Sequence, residues 1–267
     1  MIFASFPLAA RIERGDAMNA AQAVESYARL YPGCGAGVLP AGGGLATFAS
    51  PGSPMTHALG LGMNGPIAAA DIDAVEEFYR GHDCASVNID LCPLADVSLC
   101  EELGRRCYRI VEYNNVLVRR VGKYDAWPQD ARVRQAGVDD LNLWSRTVMG
   151  GFFEKAEPSV EEADVGATLF GMEGTAAFIA SVGASPAAGA AMSIREGLAF
   201  LFGDSTLTAF RARGLHRALI EARLAHGVAG QCDLAAATTL PGAISQRNYE
   251  RCGFQVLYTK MNMQRDF

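Results

Sequence analysis

Apolar residues recur along this chain with helical spacing in some stretches and as short unbroken runs in others, and that alternation predicts its elements. From Ala17 to Leu30 the segment AMNAAQAVESYARL combines helix formers with an apolar side and stops at Tyr31-Pro32-Gly33, the signature of a helix end. The runs GAGVLP and LATFAS flank the glycine turn Ala41-Gly42-Gly43-Gly44, and THALGLGM follows as a third strand, so a small antiparallel meander is expected. Ile72, Val75, Phe78 and Tyr79 then mark a helix over Asp71 to Tyr79. A buried strand ASVNIDL, a short helix near Asp96 to Arg105 and a strand YRIVEYNNVLVRRV complete this half.

Residues Gly122 to Asp130, GKYDAWPQD, gather Gly, Pro and charge between two strongly patterned segments, where a junction belongs. Two domains follow, 1–123 and 124–267. The second half offers helices near Val138 to Val148 and Val160 to Leu169, then strand runs TAAFIASV, GAAMSI and GLAFLF. A long helix after Gly214, a strand LAAATT, a short helix Ile244 to Cys252 and a final strand FQVLYTKMNM end the chain. This is nearly the order of the first half. The helix-to-strand corner LGRRCYRIVEY, from Leu103, can be laid over YERCGFQVLY, from Tyr249, so that Tyr108 falls on Phe254 and Ile110 on Val256. A faint internal repeat is the economical reading.

Composition narrows the class. At 267 residues the chain exceeds one ordinary domain, and half of its residues are hydrophobic with a mean hydropathy of +0.10, which excludes wholesale disorder. With 23 basic against 29 acidic residues the formal charge is −6, so no general attraction to nucleic acid or anionic lipid is expected. The apolar opening Met1 to Ala10 has no basic residue before it and runs into Arg11, Glu13, Arg14 and Asp16, unlike a signal peptide or membrane span. Seven cysteines lack metal-site spacing and read as small buried residues in a reducing environment, so a cytoplasmic protein without a metal is expected.

The chemistry concentrates in Thr206 to Glu221, TLTAFRARGLHRALIE. Leu215, Ala218, Leu219 and Ala222 place one apolar face on a helix that starts at or just after Gly214. A strand, a glycine turn and a helix start leave unpaired N–H groups at the positive end of the helix dipole, which suits a phosphate or pyrophosphate. Arg211 and Arg213 would add charge-assisted bonds, and Gly214 lets the backbone approach closely. An ordinary strand-to-helix turn with two solvated arginines fits the same residues.

Arg211-x-x-Gly214-x-His216 resembles the Arg/Gln-x-x-Gly-x-Gly/Ala pyrophosphate loop of the GNAT superfamily of acyl-CoA-dependent N-acyltransferases. PGAISQRNYERCGFQVLYTK, from Pro241 to Lys260, resembles the superfamily's last helix and strand, with Tyr249 and Gly253-Phe254 in register. The resemblance covers roughly residues 131 to 267. It implies a mixed α/β sheet fold, two such domains in tandem, and acetyl-CoA or another acyl-CoA as co-substrate. The acyl group would pass directly to an amine of a small molecule or peptide. By this resemblance Leu207, Arg211, Arg213, Gly214, Leu215, His216, Ser245 and Asn248 line the cofactor, and Tyr249 protonates the leaving thiolate. His216 departs from the usual small residue, and Gly242 and Ser245 stand where an Asn and a small residue are usual. Tyr249 could equally pack against the cofactor tail or core. No motif marks a base, for which Glu173, Glu196, Asp204 or a water chain are candidates.

Gly60-Leu-Gly62-Met-Asn-Gly65 fits a dinucleotide-binding pattern. Pro66 and Ile67 interrupt the helix start it needs, and no acidic residue follows at the required distance. These glycines fall where the second half has its loop, yet without an arginine, and Leu103 stands in place of Tyr249. The first half thus reads as a degenerate copy. The four histidines show no metal pairing, and Trp127 and Trp144 read as core or junction anchors. The rival from another class is a non-catalytic acyl-CoA sensor or scaffold.

Overall fold

The computed structural model describes residues 1–122 and 125–267, in two compact units. Unit one comprises Met1–Val116 and Val256–Phe267, and unit two Leu117–Gln255. The boundary expected between 123 and 124 falls on residues outside those described.

Unit one opens with α1 (Phe6–Leu30), eleven residues earlier than the pattern from Ala17 predicts. Pro7 is tolerated in the first turn, where no intrahelical N–H is needed. The charges of its first turns are accommodated: Arg14 is exposed, while Glu13 and Asp16 have an inward partner in Lys260. The meander forms as expected from β1 (Gly37–Ala41), β2 (Gly44–Phe48) and β3 (His57–Leu59), antiparallel throughout. Then come α2 (Ala69–Arg80), β4 (Ser86–Leu91), α3 (Val97–Arg105) and β5 (Arg109–Arg120). Ile72, Val75, Val87, Ile89, Leu99 and Leu103 close the core between sheet and helices.

Unit two contains β6 (Val133–Gln135), which the pattern did not reveal, α4 (Leu141–Phe152), α5 (Val160–Phe170), β7 (Thr175–Val182), β8 (Ser185–Arg195) and β9 (Leu198–Thr206). α6 (Leu215–Ala229), β10 (Leu234–Thr239) and α7 (Ile244–Arg251) follow, and the chain ends with β11 (Gln255–Asp266). Alternation along β7 sorts the two faces of the sheet. Ala176, Phe178 and Ala180 pack with Leu215, Leu219 and Leu224 of α6, while Ala177 and Ile179 pack with Trp144 and Val148 of α4.

The internal repeat becomes explicit as two runs of three antiparallel strands, helix, strand, helix, strand: β1 to β5 and β7 to β11. Their last strands are exchanged. In unit one β11 lies beside β4, pairing Met261 with Leu91 and Asp266 with Ser86, while in unit two residues 117–120 of β5 lie beside β10. The two repeats are copies in sequence order, but residues 256–266 of the second repeat's final strand belong to unit one and residues 117–120 of the first repeat's final strand to unit two.

The cysteine expectation is corrected in part. Cys84, Cys92, Cys232 and Cys252 are buried, but Cys34, Cys100 and Cys107 are exposed, because they lie in a turn, on the outer side of α3 and at the turn into β5. No helix among the described residues is long and apolar enough to cross a membrane.

Candidate active site

The parallel strands β9 and β10 pair from Leu198↔Leu234 to Leu201↔Ala237 and no further, although β9 continues to Thr206 and β10 to Thr239. Gly203, with φ +65°, and a register shift against β8 mark an irregularity at the point of separation. Beyond it, the edge of β9 that faces β10 has backbone groups without a ladder partner. Two helices start at this end of the strands, α6 after β9 and α7 after β10.

The start of α6 is open. Gly214 holds φ +76°, the left-handed region where only glycine is free of strain, and no side chain caps the helix. The first intrahelical bond runs from Ala218 N–H to Gly214 O, so the N–H groups of Leu215, His216 and Arg217 precede it. The first turn carries no acidic residue. Before the corresponding helix of unit one the backbone is tied to side chains: Ala68 N–H, at the N-cap, donates to Asp71 Oδ2 of α2 at 2.8 Å and Ile67 N–H to Ser98 Oγ of α3 at 2.7 Å. Gly60-Leu-Gly62-Met-Asn-Gly65 is filled as well, since Leu61 and Met63 are buried and Gly62 N–H bonds to Gly42 O.

Inside the opening lies a charged cluster that the spacing of residues did not disclose. Arg223, fully buried in α6, donates through Nη1 to Ala191 O at 3.0 Å and Phe202 O at 3.4 Å, two carbonyls beside the irregular stretch. Its Nη2 bonds to Asp204 Oδ1. Tyr249 is 1% exposed and donates its hydroxyl proton to Asp204 Oδ2 at 2.5 Å, with Arg223 Nη2 3.5 Å from the Tyr249 hydroxyl oxygen. His216 Nε2 stands 3.2 Å from Asp204 Oδ1, and His216 Nδ1 lies 3.0 Å from Asn248 Nδ2. The signal for Arg223 was present: one arginine among Leu219, Ile220 and Leu224 on an apolar helix face.

Electrostatics follow from this packing. Burial opposes the charge on Asp204, but the Arg223 guanidinium, His216 and the Tyr249 hydroxyl outweigh it and hold the carboxyl well below the usual range. Burial raises the Tyr249 phenol well above its ordinary value, Arg223 works against that rise, and Asp204 adds to it. Asp204 is therefore a standing anion rather than a proton acceptor, and Tyr249 stays protonated at neutral pH.

The structure gathers Asp204, His216, Asn248 and Tyr249, and sets Gly214 and Leu215 at the open helix start. His216 is accommodated in place of a small residue because its ring turns inward to Asp204 and Asn248. Ser245 lies half-buried in the first turn of α7. Leu207 spends its N–H on Ala187 O. Arg211 bonds to Glu154, Gly151 O and Thr206 O, while Arg213 touches Ala209 O at 3.5 Å and lies over the Phe210 ring. Glu173 and Glu196 lie at the other end of the sheet, where Arg195 reaches Glu173 O and Glu196 turns between β8 and β9, away from Tyr249.

Comparison with known proteins bears on the fold. No protein-family model matches the sequence, and no curated protein matches it significantly. Among solved structures, a GCN5-related N-acetyltransferase from Kribbella flavida is similar over 93% of this chain and 94% of its own, with TM-score 0.63 and 18% identity. A tandem GNAT protein from the clavulanic acid biosynthesis pathway is similar over 74% of this chain and 69% of its own, with TM-score 0.55 and 12% identity. A GCN5-related N-acetyltransferase from Sphaerobacter thermophilus follows, over 73% and 66%, with TM-score 0.53 and 13% identity. The chain has the GNAT fold, in tandem.

Proposed function

We propose that this chain, folded as a tandem GNAT protein, moves an acetyl or other acyl group from acyl-CoA to an amine of a small molecule or peptide. The observation that carries this reading is the uncapped start of α6 at Gly214, set beside strands that separate after Leu201 and Ala237. An anionic pyrophosphate suits the N–H groups of Leu215 and His216 and the charge of Arg213. An extended chain containing amides suits the unpaired edge of β9, and Thr239 Oγ1, buried with no bonding partner on β10, is a further polar group there. We assign Leu207, Ser245 and Asn248 to the lining of the same opening.

In the reaction the amine nitrogen attacks the thioester carbonyl, a C–N bond forms, the C–S bond breaks and the amine gives up a proton. The departing thiolate needs a proton, and Tyr249 is the donor we assign. To deliver it the hydroxyl turns from Asp204, and Arg223 then faces the phenolate oxygen. Asp204 keeps the phenol protonated until that moment. It is not the amine's base, because its own affinity for a proton is too low; water takes that role in this scheme.

The test is calorimetry with CoA and acetyl-CoA, followed by thiol release from acetyl-CoA across a panel of small amines and peptides. Binding with acceptor-dependent thiol release supports the proposal. Binding without turnover on any acceptor favours the sensor reading, and absence of binding overturns both.

A further inference from the structure

The two arginines of the α6 loop are engaged in different ways. Arg211 has extended backbone, with φ −62° and ψ 162°, and the next residue, Ala212, holds φ +61°. A left-handed alanine is strained, so this turn is held by its surroundings. One surrounding contact is the Arg211 side chain itself. Its Nη1 donates to Glu154 Oε1 at 2.6 Å, its Nη2 to Gly151 O at 3.1 Å and its Nε to Thr206 O at 3.3 Å. All three nitrogens are committed to the protein, and its charge already faces a carboxylate.

The partners of Arg211 share one location. Gly151 belongs to the last turn of α4, whose final carbonyls have no intrahelical donor, and Glu154 follows that turn with φ +56°. Gly151 packs so closely on β9 that an added Cβ would collide with Ser205 Oγ and the Thr206 backbone. Leu207 meets Gly150 in the same contact. The end of α4 is thus seated on the last residues of β9, one residue beyond Asp204, and Arg211 fastens it there with a bond to a helix-terminal carbonyl and another to Glu154. Phe152, at 68% exposure, and Phe153 stand on this seat.

We propose that Arg211 is a positioning residue that clamps the α4 terminus to the end of β9, leaving Arg213 and the N–H groups of α6 to meet the phosphates. The inference rests on the acyl-CoA reading for its Arg213 half. The clamp half does not depend on any ligand. Among the described residues the Arg213 guanidinium makes the long bond to Ala209 O and lies over the Phe210 ring, and no carboxylate pairs with it.

The experiment measures CoA affinity by calorimetry and amide hydrogen exchange across residues 150–158 in the full chain. Arg211→Ala is expected to change CoA affinity by less than about two-fold while exchange in that segment quickens about ten-fold or more, as local opening becomes easier. Glu154→Ala, a surface change that leaves the fold intact, is expected to give a weaker version of the same pattern. Arg213→Ala is expected to lower CoA affinity about five-fold or more with unchanged exchange at 150–158, the scale of one charge-assisted contact. Arg211→Lys, which can keep one of the bonds, should restore part of the protection. The proposal is overturned if Arg211→Ala weakens CoA as much as Arg213→Ala, or if Glu154→Ala tightens CoA by releasing Arg211 to the phosphates. It is also overturned if exchange at 150–158 is unchanged in Arg211→Ala. If the wild type binds no CoA the acyl-CoA reading fails instead, and the exchange measurements still decide the clamp.

Discussion

Replacing Tyr249 by Phe deletes one oxygen from the site and keeps the ring that packs edge-on against Phe254 at 4.9 Å and His216 at 5.6 Å. If the hydroxyl protonates the leaving thiolate, the loss is that of a general acid, about 10²–10⁴-fold in kcat. At about 1.36 kcal/mol per decade this is about 2.7–5.5 kcal/mol of barrier. The same change removes one of the donors to Asp204, a bond to a charged group worth about 1.5–3 kcal/mol of stability. Urea unfolding should therefore show a modest loss, and kinetics should be run well below the variant's unfolding transition. Acyl-CoA affinity should barely move, because the deleted oxygen faces Asp204 and Arg223 rather than the start of α6. Stopped-time assays of thiol release, with a working acceptor at saturation, supply kcat. Burial keeps the phenol protonated past its ordinary titration range, so the wild-type kcat should show no alkaline decline from Tyr249 below pH 10. A Phe variant with kcat within about five-fold of wild type would remove Tyr249 from the chemistry and make water the acid.

Arg223→Met leaves Asp204 buried without its guanidinium and orphans Ala191 O and Phe202 O; a loss of about 3–5 kcal/mol is expected in chemical denaturation, and one under 1 kcal/mol refutes the account of the cluster. Asp204 has a folded-state pKa below its unfolded value, so its contribution to stability is present above the ordinary carboxylate range and is lost as pH falls through the folded value. Between pH 7 and pH 5 the wild type should therefore lose none of that contribution; if the stability gap between wild type and Asp204→Asn already closes in that window, the assignment is wrong. Lys260, buried in unit one against Asp16 at 2.6 Å and Asp90 at 3.3 Å, should be as intolerant as Arg223: Lys260→Met is expected to cost about 3–5 kcal/mol in the same measurement. Native mass spectrometry should find one CoA per chain, because the segment before α2 carries no arginine and its Gly62, Ile67 and Ala68 N–H groups are already bonded within the protein; two bound molecules would contradict this.

Much of the local structure was legible because it is written in short-range pattern. The strand TAAFIASV coincides with β7 over Thr175–Val182, and the helix expected after Gly214 starts at Leu215. Both follow from side chains that must face a core with period two or 3.6. Gly214 was readable as the residue that precedes this helix for the same reason, since a glycine before an apolar helix face specifies backbone geometry by itself. The first turns of α1 lay outside the pattern read from Ala17, and the inward partner of their Glu13 and Asp16, Lys260, stands some 240 positions along the chain. Arg223 was passed over on similar grounds, as its partners Asp204 and Tyr249 lie on other elements. The exchange of β5 and β11 could not be read at all. Two copies of one repeat offer final strands of nearly equivalent pattern, and alternation specifies which residues form a strand but not the strand beside which they pair. That choice, like the protonation of Tyr249 and the engagement of Arg211 with Glu154, depends on distances between groups remote in sequence. Periodicity and turn chemistry act within a few residues, whereas burial and charge pairing act across the folded core, so only the tertiary structure could decide them.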